Sequence, residues 1–565
     1  MSVKIPAKVT EAMNWSWPKF ESKFGELTDF PLTEDNLDEW MSGWSGLRDL
    51  IMELYVRYYI TTTLDTGDIV AEERFHKFLE NIYSPSEAAE QKLKQKLLNS
   101  KLKPHNFSVQ LHKLQVESEI FREANLPLLI RNEKLCSEYD KIVGSQMVEL
   151  DGQEVTLPQL KIEYLNENRT RREHVWRLEM ARWQEDREKI NELWLKFYVL
   201  RTKIAGNAGY ENYREYRWQQ LGRFDYSPTD CSLFHEAIEA VVVPAAQRIY
   251  EKRRKLLGVA ELRPWDLDVD PQNQKPLRPF TAVNELIATT RNIFNRMDPE
   301  LGSYFATLEQ ENCLDLDSRK GKGPGGYCDY FSVTKLPFIF MNAVGMHDDV
   351  QTLLHEAGHS FHNFECAHLP YNQQRDYSME IAEVASMSME LLAAPNLVET
   401  QGGFYSPEEA ARARIEHLEK LILFWPYMSV VDSFQHWAYE NPQLARAAEN
   451  CDRQWSVLWD RFMLGVDWSG LENIKETGWH QKLHIHVIPF YYIEYGIAQL
   501  GAAQIWANSL KDHKKALADY RSCLALGATR SLPELFKQAG AKFTFEAGVL
   551  KESVNLIEKT ISDLE

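Results

Sequence analysis

Two histidines flanking a glutamate are the residues of this chain best spaced to carry out chemistry. Residues 355–359 read His-Glu-Ala-Gly-His. In a helix, His355 and His359 lie one turn apart on one face, so both imidazoles can bind a single zinc ion. Glu356 is then placed to hold a water molecule beside the metal and to take its proton. Because a catalytic zinc site combines about three protein ligands with water, a further ligand must come from elsewhere in the chain.

The missing ligand is expected on a helix predicted for residues 377–392. Glu383 and Glu390 are two turns apart and share a face. One carboxylate could therefore bind the metal, while the other accepts a hydrogen bond from a histidine that binds the metal. Glu380 lies on the same helix, and the solvated surface is the usual location of a glutamate. Apolar neighbours favour burial of Glu383, which metal ligation makes tolerable for a carboxylate.

The elements that must position these residues can be predicted from the sequence pattern. An apolar stretch at 336–342 predicts a β-strand, and Asp348 or Asp349 offers a cap for the helix that carries the histidines. Residues 34–207 combine apolar and charged residues at helical spacing and predict long amphipathic helices. The glycine-rich segment 321–327 lacks the ending of a phosphate-binding loop, so we expect a turn into a hairpin strand that could act as a substrate flap.

A second cluster of chemically capable residues lies at 484–496. If a helix begins after Pro489, Tyr491 and Tyr495 share one face and Tyr492 lies beside them. Tyr491 and Tyr492 could then hold a substrate backbone. Packing between aromatic helices is an equally weighted alternative for each tyrosine.

Hydrolysis at a zinc centre creates a tetrahedral oxyanion, which a second group can stabilise. A phenol or imidazole N–H aimed at that oxygen lowers the barrier by roughly a few kcal/mol. Tyr495 and His486 suit this role, and we predict a structural role for His484.

Composition excludes several classes of protein. The 565 residues are 44% hydrophobic, which excludes general disorder, and the net charge of −19 makes nucleic acid an unsuitable partner. The seven scattered cysteines are typical of a reducing compartment, and the first residues lack the apolar core of a signal peptide. The apolar stretch at 486–507 contains polar residues and predicts a buried helix instead of a membrane span. We therefore expect a cytoplasmic protein with no membrane partner.

Three segments in combination resemble a known family. Residues 355–362 read His-Glu-Ala-Gly-His-Ser-Phe-His, 381–386 read Ile-Ala-Glu-Val-Ala-Ser, and 486–495 read His-Val-Ile-Pro-Phe-Tyr-Tyr-Ile-Glu-Tyr. Together they resemble the thimet oligopeptidase and oligoendopeptidase F group of zinc metallopeptidases. The chain is most similar to the bacterial oligoendopeptidase F and Pz-peptidase branch of that group.

The resemblance implies a mostly α-helical, zincin-type ellipsoid with a deep central channel and a small β-sheet beside the active-site helix. It implies an amino-terminal helical lobe, for which we expect residues 1–207, facing a catalytic lobe at 208–565. One zinc ion per chain would lie at the floor of the channel, bound by His355, His359 and Glu383.

The same resemblance implies roles for further residues. Glu356 becomes the general base, and His486 and Tyr495 lie near the scissile carbonyl oxygen. In the thimet branch a further tyrosine lies three residues beyond the match to Tyr495, where this chain has Ala498. The strand at 337–343 would pair with an extended substrate, which makes contacts with the substrate expected for Phe340, Asn342 and Ala343.

We therefore expect a zinc endopeptidase that cuts short oligopeptides. One alternative is an exopeptidase that trims dipeptides from a carboxyl terminus, which would need a cationic or tyrosine clamp for the terminal carboxylate. Another is a non-catalytic helical protein with a structural metal. A structural site needs four protein ligands, and no fourth cysteine or histidine is suitably spaced near 355–383.

Overall fold

The computed structural model describes residues 5–565 other than 7, 273, 320 and 324, and it does not describe the side chain at 158. Helices dominate, as the amphipathic pattern predicts. The helices that precede the motif are α1 (Trp17–Asp29), α2 (Leu37–Leu64), α3 (Ile69–Phe78), α4 (Ser84–Ser100), α5 (Ser108–Ile120), α6 (Leu126–Gly144), α7 (Lys161–Tyr164), α8 (Arg169–Glu185), α9 (Arg187–Ala208), α10 (Tyr213–Gln220), α11 (Pro228–Leu257), α12 (Val283–Met297) and α13 (Pro299–Gln310).

The remaining helices begin with the one that carries the motif. They are α14 (His347–Cys366), α15 (Asn372–Arg375), α16 (Met379–Ala393), α17 (Pro407–Glu440), α18 (Ala448–Phe462), α19 (Glu472–Lys475), α20 (Leu483–His486), α21 (Tyr492–Ser509), α22 (His513–Leu524), α23 (Leu532–Gln538) and α24 (Ala547–Leu564). None of the helices in the described part of the chain is both long enough and apolar enough to cross a membrane.

The strands form two small sheets. A hairpin pairs β1 (Met147–Leu150) with β2 (Gln153–Thr156), and a three-stranded sheet contains β3 (Leu314–Asp317), β4 (Tyr327–Phe331) and β5 (Leu336–Ala343). In the larger sheet β5 is central, parallel to β3 on one side and antiparallel to β4 on the other. The predicted mostly helical fold with a small sheet beside the motif helix is confirmed.

The sheet is held by the amino-terminal helix α2. The buried carboxylate of Glu53 accepts hydrogen bonds from the backbone N–H groups of Val333 (2.7 Å) and Thr334 (2.8 Å), in the turn between β4 and β5. At the end of α2, the carbonyl of Thr63 accepts from the N–H of Gly323 at 2.7 Å. The glycine-rich segment is therefore fixed against α2 at the opposite end of the β4–β5 hairpin from that turn.

Local sequence explains where α14 begins and how closely it packs. The carboxylate of Asp349 accepts hydrogen bonds from the N–H groups of Val344 (2.8 Å) and Met346 (2.7 Å), which fixes the first turn. About two and a half turns further along α14, Gly358 faces α16. A Cβ at Gly358 would lie 2.6 Å from the carbonyl oxygen of Ala385, so only glycine lets the two helices approach this closely.

The largest hydrophobic core extends from Val56 to Ile561. It includes Ala205 and Tyr213, which lie on opposite sides of the predicted lobe boundary at 207. The division into lobes at 1–207 and 208–565 stays a prediction, and this shared core connects the two segments.

Candidate active site

Two neighbouring helices bring the predicted ligands together. His355 and His359 project from α14, and Glu383 projects from α16. The Glu383 Oε2 atom lies 3.2 Å from His355 Nε2 and 3.7 Å from His359 Nε2, and the three ligand atoms all lie within 4.8 Å of one another. Two imidazole nitrogens and one carboxylate oxygen are a donor set typical of catalytic zinc, so these residues could hold the metal.

Glu390 fixes the orientation of the first histidine. Its Oε1 lies 2.6 Å from His355 Nδ1 and its Oε2 lies 2.8 Å from His417 Nε2. Because Nδ1 is engaged by this carboxylate, Nε2 of His355 is the nitrogen left to face Glu383. Glu390 therefore lies where the sequence predicted a carboxylate that contacts a ligand histidine. His417 contacts the same carboxylate, and the sequence analysis did not identify it.

The protonation of the three ligands follows from burial and from their neighbours. Burial lowers the pKa of His359 to about 4, which keeps its lone pair available for a metal. Burial alone would raise the pKa of Glu383, but the nearby histidines outweigh it and lower the pKa to about 2. Burial also opposes the charged form of His355, yet hydrogen bonds to Glu383 and Glu390 raise its pKa well above the usual value. The two carboxylates therefore favour a positive charge at this position, which a metal ion would supply.

Glu356 is a buried carboxylate with an unused oxygen. It is 6% exposed, and its Oε2 has no hydrogen-bond partner among the described residues. Burial raises its pKa to about 7, close to the value that suits a general base near neutral pH. Gly326 of the glycine-rich segment lies beside it, since a Cβ there would be 3.5 Å from Glu356 Oε1. The segment thus borders the site, as its position before the strand suggested.

The tyrosines surround the third ligand. Tyr491 donates its hydroxyl hydrogen to Glu383 Oε1 at 2.7 Å, so it orients the ligand carboxylate instead of remaining free for a substrate backbone. The ring of Tyr495 lies 5.1 Å from the ring of Tyr491. Burial raises the pKa of Tyr495, and the charges of Glu383 and Glu356 raise it further, so its neutral hydroxyl remains a donor at neutral pH. Tyr492 contacts Tyr495 at 5.6 Å between ring centroids.

The structure does not bring His486 to this site. Its ring is fully buried and packs against Tyr139 at 4.7 Å and Trp479 at 5.6 Å, with both ring nitrogens unpartnered among the described residues. Burial, with the nearby positive groups, lowers its pKa well below the usual value. The geometry therefore corrects the expectation that His486 faces the reacting groups.

His484 occupies the position expected of His486. Its ring lies 4.9 Å from the ring of Tyr492 and 5.8 Å from the rings of Tyr491 and Tyr495. Both histidines belong to the single turn α20, where residues two apart point to opposite sides. The sequence analysis predicted a structural role for His484 and a reacting role for His486, and the structure places the two histidines the other way round.

The strand residues predicted to contact a substrate are engaged within the fold. Phe340 is buried and stacks on Tyr327 at 4.7 Å between ring centroids. Asn342 donates its side-chain N–H to the carbonyls of Gly323 (2.8 Å) and Gly325 (3.1 Å). The carbonyl of Ala343 accepts from the N–H of residue 318. Since β5 is paired on both sides, the expected addition of a substrate strand to β5 is corrected, and β4 is the neighbouring edge strand.

A second buried group contains residues that can bind metals. Cys231, Asp432 and His436 offer ligand atoms within 4.8 Å of one another, and His235 Nε2 lies 3.0 Å from Asp432 Oδ2. The guanidinium of Arg214 approaches His436 Nδ1 at 3.4 Å, so a cation already faces this group. It also contains no carboxylate beyond Asp432 that could act as a base. The His355 group is therefore the better candidate for a catalytic site.

Comparison with known proteins gives a consistent result. Residues 164–555 match the sequence model of Peptidase family M3, a range that contains every residue of the candidate site. Oligopeptidase PepF of Bacillus subtilis (strain 168) is 21% identical over 577 aligned positions, covering 97% of this chain and 83% of the relative. The chromosomal oligoendopeptidase F of Lactococcus lactis subsp. cremoris is 23% identical, covering 57% and 52%. The solved structure of Pz peptidase A with an inhibitor has a TM-score of 0.90 and 28% identity, covering 99% and 98%.

Proposed function

The chain belongs to peptidase family M3, and we propose that it is a zinc-dependent endopeptidase that hydrolyses internal peptide bonds of short oligopeptides. The observation that carries the proposal is the unpartnered carboxylate of Glu356 on the same helix as two of three converging ligands, His355, His359 and Glu383. Membership of the family makes the chain a metallopeptidase that acts on oligopeptides. The choice of zinc, the internal cleavage and the roles of single residues are our proposals.

Each residue has a separate part in the proposed reaction. A zinc ion held by the three ligands would polarise the scissile carbonyl and lower the pKa of a water molecule to about 7. Glu356 accepts the proton of the attacking water and later delivers it to the leaving amine. Tyr491 and Glu390 hold Glu383 and His355 in place through hydrogen bonds of 2.7 Å and 2.6 Å.

The negative oxygen that develops during attack needs a donor. Tyr495 is the proposed donor because its hydroxyl remains protonated near Glu383 and Glu356. His484 lies within the same aromatic cluster and is the proposed second donor, in place of His486. Such donors contribute about 3 kcal/mol each when they are aimed at the oxygen of the transition state.

The sheet suggests how a substrate backbone is held. β4 is paired with β5 on one side, and its segment begins next to Gly326, beside Glu356. We propose that an extended peptide aligns along β4, which would select backbone more than side chain.

All seven cysteines are free thiols, as expected in a reducing compartment, and the cytoplasmic location stays a prediction.

Product analysis separates the proposal from its alternatives. An internally quenched peptide of about ten residues with both ends blocked is incubated with the protein, with and without a chelator, and the products are identified by mass spectrometry. We expect internal cleavage that the chelator abolishes and zinc restores. Trimming of a peptide with a free carboxyl terminus, without cleavage of the blocked one, would indicate an exopeptidase. Bound zinc without turnover of either peptide would indicate a non-catalytic protein.

A further inference from the structure

Lys482 places an unpaired positive charge beside the aromatic cluster of the candidate site. Its side chain is mostly buried, and its Nζ donates a hydrogen bond to the hydroxyl of Tyr492 at 3.2 Å. The same atom lies 4.9 Å from the ring centroid of Tyr427 and 4.8 Å from that of Tyr492. No carboxylate among the described residues lies within ion-pairing distance of it. An ammonium group has three N–H donors, so the protein leaves part of its capacity unused.

Two other partly buried lysines of this chain are paired differently. Lys94 lies 2.8 Å from the carboxylate of Glu117, and Lys113 lies 2.7 Å from that of Asp376. Each of these pairs offsets the cost of removing an ammonium group from water. Lys482 has only aromatic faces and one hydroxyl, and burial without a neighbouring acid lowers its pKa to about 8. An unpaired charge of this kind is stabilised when a negatively charged group of a ligand comes beside it.

The position of Lys482 connects this charge to the proposed chemistry. Tyr492, which accepts its hydrogen bond, contacts the ring of His484 at 4.9 Å and that of Tyr495 at 5.6 Å. Burial lowers the pKa of His484, the charge of Lys482 lowers it further and the charge of Glu383 raises it, so both groups are near enough to act on this imidazole. Two successive ring contacts of this size cover about the length of two or three residues of an extended peptide, at roughly 3.3 Å per residue.

We propose that Lys482 and the Tyr492 hydroxyl form a subsite for a carboxylate of the peptide substrate, a few residues from the bond that is cut. This inference rests on the proposed function and adds the chemical class of group that the site selects. An ammonium and a phenol can both donate to one carboxylate, and charge-assisted hydrogen bonds are the stronger kind. The carboxylate can be the carboxyl terminus of the peptide or an acidic side chain, and the experiment separates the two.

Only Lys482 changes its charge near pH 8 within this subsite. Burial raises the pKa of Tyr427 and of Tyr492 above the usual range, and it lowers the pKa of His484 to about 3. All three groups therefore stay neutral while the ammonium loses its proton. The subsite is cationic below about pH 8 and neutral above it.

Three quenched peptides of one sequence test the subsite. The first ends in a free carboxylate, the second in a carboxamide, and the third in a carboxamide with a glutamate as its penultimate residue. We expect wild type to cleave the free acid roughly tenfold more efficiently than the amide, measured as kcat/KM. Lys482→Met should cleave both at the rate of the amide, and Lys482→Arg should retain most of the preference. Rescue of the amide by the added glutamate would show that side-chain carboxylates use the subsite as well.

Two controls make the result decisive. Lys511→Met removes an exposed lysine two residues beyond the end of α21 and should keep the preference of wild type. Binding of the acid and amide peptides to Glu356→Gln, measured by fluorescence anisotropy, should show the same preference without turnover. Equal cleavage of acid and amide by wild type, or a preference that survives Lys482→Met, overturns the subsite. Absence of cleavage of all three peptides with a clear preference in binding overturns the proposed function and supports the subsite.

Discussion

Replacement of Glu390 by glutamine tests how the first ligand is held. The carboxylate has two oxygens, one 2.6 Å from His355 Nδ1 and the other 2.8 Å from His417 Nε2. Glutamine keeps the shape but removes the charge and replaces one oxygen with an amide N–H₂ donor. Its remaining oxygen can accept from only one of the two histidines. Either His355 or His417 therefore loses its hydrogen-bond acceptor.

The expected magnitude follows from this loss. Removal of an outer partner of a metal ligand typically weakens metal binding by about 10- to 100-fold, or about 1.4 to 2.7 kcal/mol. Because Glu390→Gln also removes the negative charge beside His355, we expect a value in the upper half of that range. The pKa of Glu390, lowered to about 2 by the histidines against the effect of burial, indicates that the charge is present at neutral pH.

Zinc affinity is the direct assay of this prediction. Competition with a chromogenic chelator gives the dissociation constant of zinc for wild type and for Glu390→Gln. Glu408→Gln, an exposed position in the first turn of α17, serves as the matched control and should bind zinc like wild type. Excess zinc should restore part of the activity of Glu390→Gln. A dissociation constant within about twofold of wild type would refute the role of Glu390 in orienting His355.

Three further predictions concern residues around the site. His484→Phe should lower kcat/KM by roughly 100-fold with little change in Tm. His486→Phe should keep both activity and Tm, since neither ring nitrogen of His486 has a hydrogen-bond partner among the described residues. The reverse pattern would contradict the assignment. Gly358→Ala should lower the free energy of unfolding by about 3 kcal/mol or more, because its Cβ would meet the Ala385 carbonyl, and an unchanged denaturation midpoint would count against this packing. The preference for free-acid peptides should disappear as the pH rises through about 8, where the lowered pKa of Lys482 removes its charge, and a constant acid-to-amide ratio of kcat/KM would exclude that cause.

The convergence of His355, His359 and Glu383 was predictable because it depends mainly on helical periodicity. The spacing of His355 and His359 places both imidazoles on one face of any helix, and the apolar pattern already indicated a helix there. Glu383 and Glu390 followed from the same periodicity on an unusually apolar helix. These contacts need only the helix repeat and the meeting of two helices, which Gly358 permits.

The residues that surround the substrate were less predictable because they depend on long-range packing. The sequence predicted the strand β5 but not its central position, which is set by pairing with β3 and β4. His484 and His486 lie on one short turn. The packing of Tyr139 against His486 decides which of the two histidines is buried. No role could be predicted for Lys482 from the sequence, because only the folded structure shows that none of the described carboxylates lies close enough to form an ion pair with it.

Substitution of Glu356 by glutamine tests the central claim most directly. Glutamine keeps the size of the side chain and leaves the ligands in place, but it cannot accept a proton. We expect Glu356→Gln to bind one equivalent of zinc per chain like wild type and to cleave a blocked peptide of about ten residues at least roughly 100-fold more slowly. Cleavage at the rate of wild type with zinc bound would contradict the account, because the proton would then be taken by another group.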